Sequence, residues 1–105
     1  MTLDDLRQLP LLQTRAIAAS WNDSPETFAY LSDCVNRFYR GDYGEVPQED
    51  VEANNSDLRA GEGHILARYK GKYDFEGDIY IEAYISESMP GIDCNHTMVM
   101  YCIER

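Results

Sequence analysis

The segment Asp78-Ile79-Tyr80-Ile81-Glu82-Ala83-Tyr84-Ile85 alternates in a strict period of two. In a β-strand this places Ile79, Ile81, Ala83 and Ile85 on one face, and Tyr80, Glu82 and Tyr84 on the opposite, solvent-facing one. An apolar strand face needs a cover, and residues 25–40 supply one. There Phe28, Leu31, Val35 and Phe38 recur at three- and four-residue steps, which makes one side of a helix apolar. Its ends are marked as well. Ser24 suits the N-cap, Pro25 the first helical position, and Glu26 the positive end of the helix dipole; Arg37, Arg40 and Gly41 carry stop chemistry. A helix followed by strands implies an α+β fold.

The remaining chain fills in that frame. Residues 1–10 form a lead-in with about one helical turn. Leu11 to Ile17 is too short to assign to strand or helix by periodicity. A second, polar helix is expected over Pro47–Leu58, with Val51 and Leu58 as its main apolar contacts. His64–Tyr69 reads as a strand before the alternating one. Thr97–Ile103 reads as another, apolar on both faces and therefore central or covered, with Cys102 in its interior. Lys70–Gly77 and Ser86–Asn95 connect them. The expected architecture is two N-terminal helices packed on one face of a three- to four-stranded antiparallel sheet. With 105 residues the chain is one domain, residues 1–105, long enough to bury roughly two-thirds of its unfolded surface.

Little in the sequence supports an enzyme. There is no phosphate loop, dinucleotide fingerprint or nucleophile elbow. Cys34, Cys94 and Cys102 are odd in number and lack paired zinc spacing, so Cys94 and His96 are expected to be a thiol and a loop histidine with no metal. A Cys–His nucleophile, Cys94 or Cys34 with His64 or His96, would need a depressed thiol pKa, which acidic surroundings oppose. No cofactor is expected. The start, Met1-Thr2-Leu3-Asp4-Asp5-Leu6-Arg7, lacks the basic and apolar regions of a signal peptide, and no run is long enough to span a bilayer. A cytoplasmic protein with reduced thiols is expected.

Charge is the most informative remaining property. With 19 Asp and Glu against 9 Lys and Arg, the net charge is -10, which excludes direct binding to a phosphate backbone. It is unevenly spread. Residues 42–62 carry seven acids against Arg59 alone, and residues 74–104 carry seven acids and no Lys or Arg. The small basic run Arg68, Lys70 and Lys72 separates them, and residues 1–41 nearly balance. If extended, Asp74, Glu76 and Asp78 share one face at spacings of roughly 6.6 Å. Glu45, Glu49 and Glu52 fall on one side of the second helix, with Asp42 and Asp50 nearby. Tyr80 and Tyr84 flank Glu82 and offer the rigid aromatic anchors that interfaces favour.

Several short motifs occur in a familiar order: Thr14-Arg15-Ala16-Ile17, Gly41-Asp42-Tyr43-Gly44, Glu49-Asp50 with Asn54, Ile65-Leu66-Ala67-Arg68-Tyr69, and Ile79-Tyr80-Ile81-Glu82-Ala83. Over residues 11–85 the chain resembles the small plasmid-related proteins of bacterial mobile elements, with their TRG-type start, GDWG turn, ED…N segment and IWII-like strand. It carries Ala16 where that family tends to have Gly and Tyr43 where it tends to have Trp. Residues 86–105 do not match it. The resemblance implies a mobile-element origin and transfers no catalytic residue. Such elements often carry small proteins that disarm host defences.

These readings converge on a non-enzymatic, protein-binding inhibitor of the anti-CRISPR or anti-restriction type. It would occlude the basic nucleic-acid-binding surface of a host defence nuclease, such as a Cas or restriction enzyme, with carboxylates replacing phosphates. The expected binding residues are Asp42, Glu45, Glu49, Asp50, Glu52, Asp74, Glu76, Asp78, Tyr80, Glu82 and Tyr84. The alternative is a regulatory or scaffold module of plasmid maintenance, a homodimer formed through an apolar sheet edge or the tyrosine face.

Overall fold

Helix α3 (Pro25–Tyr39) begins where its cap residues place it. The Ser24 hydroxyl accepts from the Thr27 N–H at 3.1 Å, and Pro25 opens the first turn. The computed structural model describes residues 1–21, 24–73, 75–85 and 95–105, and shows three further helices. In α1 (Leu3–Arg7), Thr2 and Asp5 cap each other reciprocally. The ambiguous run after Pro10 divides between two structures: strand β1 (Leu11–Gln13), then α2 (Arg15–Trp21). The Thr14 hydroxyl, accepting from the Ile17 N–H at 3.3 Å, marks the join. Helix α4 (Gln48–Ala60) ends on Gly61 in the left-handed conformation, φ +70°.

The strands β2 (Gly63–Tyr69), β3 (Ile79–Ile85) and β4 (His96–Tyr101) join β1 in a four-stranded sheet of order β1-β4-β3-β2. The fold is α+β. Two expectations about its detail are corrected. Among the described residues there are four α-helices where two were expected, because the segments before Ser24 are too short for periodicity to register, and they are not all N-terminal to the sheet, since β1 precedes α2, α3 and α4. The sheet is mixed, because β1 runs parallel to β4, with Leu11 opposite Thr97 and Gln13 opposite Val99. Of the two positions its apolar faces allowed, central or covered, strand β4 takes a central one, between β1 and β3. It stops at Tyr101 because Glu104 folds back to accept from the Tyr101 N–H at 2.9 Å and the Thr14 hydroxyl at 2.8 Å. Cys102 therefore lies in a 3-10 turn (Cys102–Glu104) and not in a strand interior, and Ile103 is 93% exposed.

All four helices contribute to one core. Leu6, Ile17, Leu31, Phe38 and Leu58 meet Ile65, Ile79, Ile81, Ile85 and Val99 from the sheet. Burying each such side chain contributes roughly 1.5–3 kcal/mol. The buried stripe of α3 is Thr27, Leu31, Cys34 and Phe38, rotated from the expected one so that Phe28 is left 50% exposed.

The free side of β2 is closed by polar groups from the preceding chain. Asn54 accepts from the Leu66 N–H at 3.0 Å and donates to its carbonyl at 2.8 Å. Asp57 accepts from the His64 N–H, the Tyr43 carbonyl accepts from the Arg68 N–H, and the Glu45 N–H donates to the Arg68 carbonyl. An unpaired strand edge invites association with other chains, and these contacts remove the invitation. Replacing Asn54 with alanine is expected to destabilise the protein by about 2 kcal/mol, since two main-chain groups lose their partners. Urea unfolding measures this; a change below about 0.5 kcal/mol would show that Asn54 is dispensable.

Candidate protein-binding surfaces

The sheet face away from the core carries Tyr80, Glu82 and Tyr84, as the alternation requires. That face is not open to solvent at its centre. Glu82 is 2% exposed. Arg105 donates to its carboxylate through Nη2 at 2.9 Å and Nε at 3.3 Å, and His64 Nδ1 lies 3.6 Å away. Burial acts to raise the Glu82 pKa. The hydrogen bonds from Arg105 and Tyr84, with the Arg105 and His64 charges, outweigh it and hold the carboxyl below its ordinary range. Tyr84 is pushed up to about 12 by burial and by the carboxylate that accepts from its hydroxyl. Its ring lies between His64, at 5.0 Å edge-on, and His96, stacked at 4.8 Å. Tyr80 lies beneath the guanidinium groups of Arg68 and Arg105, at 5.8 and 5.7 Å.

Glu82 is therefore an internal counter-ion, which corrects its assignment to a wet binding face. Asp78 is also occupied: Arg68 donates to it at 2.8 and 3.1 Å, and the Gly71 N–H at 3.0 Å. Asp42 pairs with Arg37 at 2.7 Å and accepts from the Gly44 N–H. The backbone and guanidinium bonds at these two sites hold both carboxyls below their ordinary pKa. Of the expected row Asp74, Glu76 and Asp78, the last two precede β3, which begins at Ile79, so they are not part of its strand face. Glu76 is exposed, and Asp74 lies outside the described residues.

The other acidic set is exposed. Glu49, Asp50 and Glu52 are exposed on the first turns of α4. Glu45 is exposed as well, but it precedes the helix, pairs its backbone with β2 and shares a pocket with Arg37, Arg68, Lys70 and Lys72 instead of extending the helical row. None of the four forms an ion pair among the described residues.

A third surface lies at the opposite edge of the sheet. A groove of about 410 Å³ runs between β1 and α3, lined by Leu11, Gln13, Phe28, Leu31, Val35 and neighbouring polar residues. Leu11 is 45% exposed, Leu12 46% and Phe28 50%. The apolar pair Leu11-Leu12 was its one signal in the sequence, and it does not say on which side of the fold the pair emerges. Nothing in the sequence pointed to Arg105 as the partner of Glu82.

Among the described residues no cluster of three or more His, Cys, Asp or Glu side chains is placed to hold a metal ion, and no helix is long and apolar enough to cross a membrane. Cys34 is buried, which pushes its thiol pKa up and away from a nucleophile's; Cys94 and the Ser86–Cys94 part of the expected connection lie outside the described residues. Comparison with protein-family models, curated proteins and solved structures finds no match.

Proposed function

We propose that this protein is a cytoplasmic, non-enzymatic inhibitor of the anti-CRISPR or anti-restriction kind. Its α4 face would occupy the basic nucleic-acid-binding surface of a host defence nuclease. The supporting observation is the sorting of its carboxylates. Asp42, Asp78 and Glu82 are committed to internal arginines, whereas Glu49, Asp50 and Glu52 follow one another at the start of α4, exposed and, like Glu45, without ion pairs among the described residues. Glu49 and Glu52 are separated by about 4.5 Å along the helix axis, close to the roughly 3.4 Å charge repeat of one nucleic-acid strand. Glu49 and Asp50 also sit at the positive end of the α4 dipole, so the helix tolerates their crowding.

The test is the triple neutral variant Glu49→Gln, Asp50→Asn, Glu52→Gln. Binding to a basic nuclease is expected to weaken about tenfold near 0.1 M salt, with a shallower salt dependence and unchanged melting. Equal inhibition of cleavage by wild type and variant would remove this surface from consideration.

A second reading, a homodimeric scaffold or regulatory module of mobile-element maintenance, draws on a different observation. Among the described residues, three of the five exposed large apolar side chains, Leu11, Leu12 and Phe28, collect at one sheet edge.

A further inference from the structure

We infer that strand β1 pairs antiparallel with β1 of a second copy of this chain, about a twofold axis at Leu12, joining two four-stranded sheets into one of eight strands. Strand β1 is the outer strand beside β4. The Pro10 carbonyl accepts from the Thr97 N–H at 2.8 Å, and the Thr14 N–H donates to the Val99 carbonyl at 3.1 Å. In a parallel ladder bonding alternates along the strand, so Leu12 turns its N–H and carbonyl toward β4. Leu11 and Gln13 turn theirs outward. Two outward donors and two outward acceptors, spaced by two residues, are self-complementary. Leu11 faces Gln13 of the second copy, Gln13 faces Leu11, and four hydrogen bonds form. Leu12 meets Leu12 on the outer face.

The side chains agree with this register. Leu11 and Gln13 line the groove beneath α3, so their counterparts in the second copy, one strand spacing of about 4.8 Å further out, extend its floor and cover Phe28. The chain has 28 charged residues out of 105, counting 19 acidic and 9 basic, yet none lines this groove. Two chains of net charge -10 can meet here without bringing like charges into contact. The acidic α4 flanks β2 at the far edge. In the eight-stranded sheet the two β2 edges stand seven spacings apart, about 33 Å, or some three Debye lengths at 0.1 M salt. The opposite edge offers no comparable site, since polar groups already close it.

This pairing deepens the scaffold reading and rests on it for biological use, while its geometry rests on the edge alone. The experiment is light scattering and sedimentation of the full chain. Wild type is expected at twice the 12.1 kDa chain mass. Leu12→Lys and Leu12→Glu alter a half-exposed side chain, so each should remain folded yet dimerise roughly 100-fold more weakly, through like charges facing across the axis. Mixing the two should restore a heterodimer, because only a Leu12–Leu12 contact makes the charges complementary. In a Cys94→Ser, Cys102→Ser background, Leu12→Cys should cross-link on oxidation and Leu11→Cys should not. Directly opposite non-hydrogen-bonded positions lie about 4.5 Å apart, whereas Leu11 and its own copy are offset by two residues. A chain that is monomeric at every soluble concentration, or that instead takes up an extended peptide as a monomer, overturns the pairing. A dimer indifferent to Leu12→Lys overturns it too. If Leu12→Lys is monomeric but plasmid retention is unchanged, the interface stands and the scaffold reading falls.

Discussion

Arg105→Ala is expected to lower the melting temperature at neutral pH by about 10 °C. The reason is the environment of Glu82, 2% exposed and bonded to Arg105 through two guanidinium nitrogens. Removing one partner of a fully buried ion pair costs about 3–5 kcal/mol. Arg105 is 46% exposed and His64 remains nearby, so water and the imidazole replace part of what is lost and about 2 kcal/mol is expected. For a domain of this size each kcal/mol is worth roughly 4–8 °C. The pH dependence has a definite sign. The carboxyl pKa of folded wild type is depressed, so the contribution is complete above the ordinary glutamate range and is lost as the pH falls through and below it. Without Arg105, burial acts with less opposition and favours the protonated carboxyl. The gap between wild type and variant should therefore be full at pH 7 and narrow in acid. The double variant Glu82→Leu, Arg105→Ala should recover most of the lost stability, because no charge is left to solvate. Melting curves at three pH values decide the matter, and a gap that widens in acid would contradict it.

Gly44→Ala should be more damaging, at about 3 kcal/mol in urea unfolding. Gly44 has φ +72°, and an added Cβ would lie 2.1 Å from the Arg68 carbonyl oxygen and 2.8 Å from the Tyr69 ring. A methyl group there faces a backbone atom that cannot rotate away. Either the left-handed conformation is abandoned or the 43–45 segment lifts from β2, which breaks the Arg68–Tyr43 and Glu45–Arg68 hydrogen bonds. Gly77→Ala is the matched control. Nothing lies within 4 Å of its added Cβ, and its change should stay within about 0.5 kcal/mol. Similar urea midpoints for the two variants would refute the close-approach explanation.

What the sequence disclosed followed from local chemistry. Ser24-Pro25-Glu26 and Gly41 bracket α3, and the alternating residues 79–85 are β3 with every side chain on the expected face. Helix α4 lies within two residues of its expected ends. What it withheld depends on distant partners. A period of two assigns Glu82 to a face but cannot say that Arg105, 23 positions later, covers it. Glu49, Asp50 and Glu52 resembled the other acids until the fold supplied arginines to Asp42, Asp78 and Glu82. A three-residue strand such as β1 carries no period at all, so neither its parallel pairing nor the mixed sheet was legible. The rotated stripe of α3 has a similar cause: Thr27 and Cys34 are small enough to be buried, and they displaced the larger Phe28 to the groove.

The parallel pairing of β1 with β4 also orders events in time. Leu11 must wait for Thr97, 86 positions later. At translation rates of about 5–20 residues per second that interval is roughly 4–17 s. During it β2 and β3 can form a local hairpin, but β3 has an open flank and β1 has no ladder to join. Such long-range closure is the slow step of folding in chains of mixed topology. Residues 11–13 therefore become a strand only after residues 96–101 have left the ribosome. The edge on which two copies would meet is thus absent until β4 has emerged, and assembly through it waits for that strand.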